Sequence, residues 1–120
     1  MSGVDLGAQA WRATVNFFGV DVNYEEYGVP GGAKPVRMFI RGIMGVEDTF
    51  GAALQSDKFG VVDWAVFAVA FPGRPRPLKF DKVRTLGPLA MAYTVEEWRA
   101  SPDYGAEPVV LKLLLRGGNQ

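Results

Sequence analysis

The sequence predicts a mainly β fold: a small antiparallel β-barrel or sandwich of about six strands, with one N-terminal helix and a long interaction loop. Three observations predict it. Apolar residues recur at spacings of three and four only near the N-terminus, between Val4 and Phe18. From Val20 onward, short runs alternate with a period of two. Turn residues separate those runs, in a chain that carries 15 Gly and 8 Pro among 120 residues. That length corresponds to one domain, spanning 1–120, able to bury roughly two-thirds of its unfolded surface.

The elements follow in order. Over residues 4–18, Leu6, Ala10, Ala13 and Phe17 form an apolar stripe, and Trp11, Val15 and Phe18 widen it to a second face. A helix so broadly apolar suits packing on a sheet and on a neighbouring subunit, with Trp11 as a subunit or ring contact. Gly19 ends it. The barrel proper spans 20–116. Val20, Val22 and Tyr24 alternate with Asp21, Asn23 and Glu25 in the first strand, and VRMFIRGIM (36–44) is the second. Gly42 there reads as a bulge or a close backbone approach. Residues 45–62, GVEDTFGAALQSDKFGVV, lack strong periodicity and read as one long loop. Glu47, Asp48, Phe50, Leu54 and Phe59 are its candidate subunit or ring contacts. The run DWAVFAVAF (63–71) reads as the most hydrophobic, central strand; 82–84, 91–98 and 109–116 are the remaining three.

Several kinds of chemistry find no residues to carry them. The chain has neither histidine nor cysteine, which removes the commonest general base, thiol nucleophiles, zinc-finger ligand sets and a disulfide framework. Gly28, Gly31 and Gly32 sit in a proline-interrupted loop without a following Lys-Ser/Thr pair, unlike a phosphate-binding loop. The adjacent carboxylates Glu25/Glu26, Glu47/Asp48 and Glu96/Glu97 do not form a facing pair, because neighbours on a strand point to opposite faces. Glu47, Asp48 and Asp57 do not match the spacing of a calcium loop. The reading is therefore of a non-enzyme with no cofactor and no metal. No apolar run reaches membrane-spanning length, and MSGVDLGAQAW has neither the basic nor the apolar part of a secretory signal.

Thirteen Lys and Arg balance thirteen Asp and Glu, so a general grip on nucleic acid is not expected. The stretch FPGRPRPLKF (71–80) nevertheless gathers Arg74, Arg76 and Lys79 among three prolines. It reads as a stiff strand connection whose cations contact either DNA or an adjacent ring. Three charges per chain bind phosphate weakly, but repetition around a ring would sum them.

A family pattern runs through these residues: Phe80-Asp81-Lys82-Val83, then Gly87, then Tyr93-Thr94-Val95, then Leu111, Leu113 and Leu115 on the closing strand. In this the chain resembles the head–tail joining proteins (head completion or stopper proteins) of long-tailed bacteriophages and related gene transfer particles. Phe80 stands where that family commonly has glycine, and the 86–91 connection is longer than its usual Gly turn. The resemblance implies a structural virion protein, assembled in the host cytoplasm as a ring of roughly six or twelve copies at the head–tail junction. Such a ring joins a portal-side adaptor to a tail terminator or tail tube, closes the DNA channel and touches packaged DNA passively. The alternatives are another tail-completion or terminator component, or a small OB-like nucleic-acid-binding barrel. The last predicts aromatics exposed on the sheet face, with Phe39, Tyr93 and Trp98 as candidates.

Overall fold

The computed structural model describes residues 6–29, 31–42, 57–74, 76–88, 90–101 and 107–117. Its elements are α1 (Leu6–Phe18), β1 (Val20–Glu25), β2 (Lys34–Gly42), β3 (Lys58–Asp63), α2 (Trp64–Ala70), β4 (Lys82–Thr85), β5 (Ala92–Ser101) and β6 (Val110–Gly117). The strands close into a barrel in the order β1-β2-β3-β6-β5-β4, every neighbouring pair antiparallel. The mainly β class, the barrel and the N-terminal helix are as the sequence predicts.

The interior is built by alternation. Val22 and Tyr24 of β1, Val36 and Met38 of β2, Val83 of β4, Tyr93 and Val95 of β5, and Leu111, Leu113 and Leu115 of β6 form one buried cluster. On β5 the register shifts between Val95 and Glu97, leaving Glu96 as the extra residue. The shift changes the strand's parity, so Trp98 and Ala100 join the inner set beside Leu113 and Leu111. Gly60 of β3 faces Leu115 and Met38 so closely that a Cβ there would lie 3.0–3.1 Å from their side chains. Gly42, by contrast, meets no close neighbour among the described residues and pairs regularly with Lys58, so no bulge lies there.

Two elements differ from the sequence reading. The long loop is shorter than 45–62, because its last residues form β3, pairing with both β2 and β6. Phe59 is therefore buried in a strand and is not available as a ring contact. The run 64–70 is a helix rather than the central strand. A continuous apolar run carries no period of its own, and the decision falls to its ends. Asp63 supplies the N-cap, its Oδ1 accepting from Ala65 N at 2.9 Å. Phe67 and Phe71, one helical turn apart, then enter the core, while Val66 and Val69 remain exposed. The helix plugs one end of the barrel, with Phe67 edge-on to Tyr24 at 4.9 Å.

Helix α1 covers the outer face of β2, β3 and β6 through Ala8, Trp11 and Val15, which meet Phe39, Phe59, Val61, Val110 and Leu114. Arg12 adds an ion pair with Asp63 at 3.3 Å. The predicted stripe of Ala10, Ala13 and Phe17 faces solvent instead, Phe17 being 79% exposed. With apolar residues on two faces, periodicity alone did not select which would meet the sheet.

Candidate functional site

The loop 71–81 is organised by one buried carboxylate. Asp81 is fully buried and accepts from Tyr24 Oη at 2.6 Å, Tyr27 N at 2.7 Å and Leu78 N at 2.8 Å. Arg74 Nη2 reaches both its oxygens, at 3.1 and 3.0 Å, and Arg74 Nε donates to Glu26 at 2.7 Å. Arg74 Nη1 also donates to the Arg76 carbonyl at 2.7 Å. One carboxylate thus ties β1, the turn after it, the loop and the start of β4. Arg74 is a structural cation whose hydrogen bonds run to Asp81, Glu26 and the Arg76 carbonyl.

Burial, with the hydrogen bond to Asp81 and its negative charge, drives the Tyr24 phenol far above its ordinary value. Because the folded value is raised, the neutral phenol contributes stability that is complete below about pH 10 and is lost as pH rises further. Between about pH 10 and pH 11 wild-type stability is expected to fall more steeply than that of Tyr24→Phe, by up to about 1.4 kcal/mol per pH unit. Urea midpoints across that range measure it, and parallel curves would contradict the burial of a neutral phenol.

Leu78 to Asp81 form a hydrogen-bonded turn, Asp81 N to Leu78 O at 3.1 Å, with Phe80 at φ 75°. This is the third turn position, where glycine is favoured. Phe80 therefore takes up the backbone conformation that a glycine would adopt. Its ring lies 5.6 Å from that of Tyr27. Phe80→Gly is expected to be more stable than Phe80→Ala by about 1 kcal/mol, the reverse of the usual order, since alanine retains the left-handed strain. Thermal unfolding of the two variants decides it.

The other predicted cations separate from Arg74. Lys79 lies 3.9 Å from Glu96. Arg76 is exposed on the rim of a cleft of about 480 Å³ lined by Trp64, Gly73, Arg74, Trp98, Ala100, Pro108 and Leu111. Thus Arg74 is tied inward, while Arg76 and Lys79 remain exposed on the loop. The acidic residues are likewise engaged separately. Asp57, buried where β3 begins, takes two hydrogen bonds from Arg116, at 3.0 and 2.9 Å. These hold the Arg116 guanidinium above its ordinary range. Arg116 also reaches Glu96 at 3.5 Å. Among the described residues no group of acidic side chains could hold a metal ion.

Of the predicted contact residues, Trp11 is half-buried and pinned to the barrel, 5.2 Å from the Phe59 ring and 6.2 Å from that of Phe39. The Arg41 and Lys112 cations lie 5.7 and 5.9 Å from it. Glu47, Asp48, Phe50 and Leu54 lie outside the described residues. Phe39 is half-buried under α1, Tyr93 is buried, and Trp98 lines the cleft, so none of the three lies open on a sheet face as an OB-like surface would need.

Sequence reasoning missed a pattern at the barrel ends. At the α2 end Val66, Val69, Tyr27, Val29, Leu78 and Phe80 are exposed; at the other, Phe17, Phe18, Val20 and Leu86. The outward positions of β1 and β4 between them are Asp21, Asn23, Glu25, Lys82 and Arg84. Alternation predicts the polar wall, whereas exposed apolar residues at both ends emerge only from the closure of the barrel. No family model, curated protein or solved structure matches this chain.

Proposed function

We propose that this chain is a structural component of a tailed particle, assembling as a ring at the head–tail junction between a portal-side adaptor and the tail. The observation that carries the proposal is the pair of exposed apolar ends on a closed barrel with a polar wall. Scattered apolar residues on a monomer need no explanation, but their concentration at two opposite ends suits a part stacked between two others. The glycine-like backbone of Phe80, where the sequence departs from the family's motif, and the anchoring of Asp81, where it matches, support the resemblance. The chain binds no cofactor in this role, and the DNA passes its ring without sequence reading.

Imaging the head–tail junction of particles that contain this chain tests the proposal. Symmetric density for the barrel, with one apolar end toward the head and the other toward the tail, is the expected result. Val69→Asp and Phe17→Asp are each expected to fold normally yet to be missing from particles. Particles that assemble normally with both variants would overturn the reading.

A further inference from the structure

The cleft between Trp64 and Trp98 borders the barrel core at Leu111 and the Asp81 network at Arg74. Its walls are two indoles, its apolar lining is Ala100, Pro108 and Leu111, and its cations are Arg74 and Arg76. Among the described residues that line it there is no carboxylate. Arg74 is already neutralised by Asp81 and Glu26, which leaves Arg76 as the cation facing a ligand. Such a cleft selects a ring or branched apolar group that lies against indole, with a carboxylate close by in the same ligand. Duplex DNA does not fit this description, because its bases are stacked away from a small apolar recess.

We propose that the cleft receives residues 45–54, GVEDTFGAAL, from a neighbouring copy of this chain. The occupant's chemistry matches: Glu47 and Asp48 carry the carboxylates, Phe50 follows two residues later, and the stretch between Gly42 and Asp57 contains no Lys or Arg. Topology favours a second copy. Strands β2 and β3 deliver 43–56 to the barrel end marked by Gly42 and Lys58, whereas Trp64, Ala100 and Leu111 mark the other end. At most about 3.3 Å per residue can be spanned by any chain, so about seven residues are enough to cover roughly 20 Å, the height of a neighbouring barrel. Phe50 then lies against the indoles, and Glu47 or Asp48 meets Arg76.

The inference rests on the self-association in the ring reading, and its test is separate. A fluorescently labelled GVEDTFGAAL peptide is titrated with the full chain and followed by anisotropy. Saturable binding that weakens about tenfold in Arg76→Glu is expected. A peptide carrying Glu47→Lys and Asp48→Lys should restore binding to that variant. Arg76 is exposed and paired with no carboxylate among the described residues, so its replacement leaves the fold intact. Absence of saturable binding, indifference to Arg76→Glu, or undiminished binding of a Phe50→Ala peptide would each overturn the proposal. So would displacement of the peptide by oligothymidylate, which would assign the cleft to single-stranded nucleic acid. A ring seen in particles with the cleft empty would end this inference and leave the ring reading standing.

Discussion

Asp81→Ala is expected to destabilise the protein by about 3–5 kcal/mol, the cost typical of removing one partner from a buried charge network. The substitution leaves the Tyr24 hydroxyl, the amides of Tyr27 and Leu78, and two of Arg74's hydrogen bonds without their acceptor. Against a total of about 5–15 kcal/mol for a typical domain, the loss is a large share of the stability. Asp81→Asn should cost less, because the amide oxygen still accepts hydrogen bonds while the ionic attraction to Arg74 is gone. Urea midpoints of both variants check the order. A shift below about 1 kcal/mol for Asp81→Ala would mean that the network does not hold the loop.

Phe67→Ala is expected to cost about 3–5 kcal/mol, as large-to-small changes at buried aromatic sites do. Phe67 is fully buried, with its ring 4.9 Å from that of Tyr24 and 5.0 Å from that of Phe71. Val69→Asp, two residues along, should shift stability by no more than about 0.5 kcal/mol, since Val69 is 82% exposed. This contrast separates the helix from a strand. In a strand, residues 67 and 69 would share one face and both changes would be costly. Comparable losses from the two substitutions would contradict the plug at the barrel end. Val69→Asp also serves the particle experiment, because a folded variant that fails to assemble isolates the end surface from the core.

The alternation of Val22 and Tyr24, of Val36 and Met38, and of Leu111, Leu113 and Leu115 was legible because every residue of a barrel strand faces either the core or the outside. Five of the six strands follow from it with small boundary shifts. The sixth was misplaced for a physical reason. In β3 both faces are buried, one under α1 and one in the interior, so Lys58–Asp63 shows no alternation, and Gly60 resembles a hinge. The neighbouring apolar run 64–70 then took its place in the reading. The N-cap at Asp63 was the signal that could have corrected it.

The absence of histidine and cysteine, the charge balance, the mainly β class and the strand count were determined by the sequence alone, since they depend on residue identity and local periodicity. Only the tertiary structure decided which face of α1 meets the sheet, that Arg74 turns inward to Asp81, and that apolar side chains emerge at both ends. Each of these depends on groups distant in the chain: Glu26 and Asp81 lie 48 and 7 residues from Arg74. A charged side chain spends its hydrogen bonds on whatever partner closure of the barrel brings within reach, and no local pattern encodes that partner.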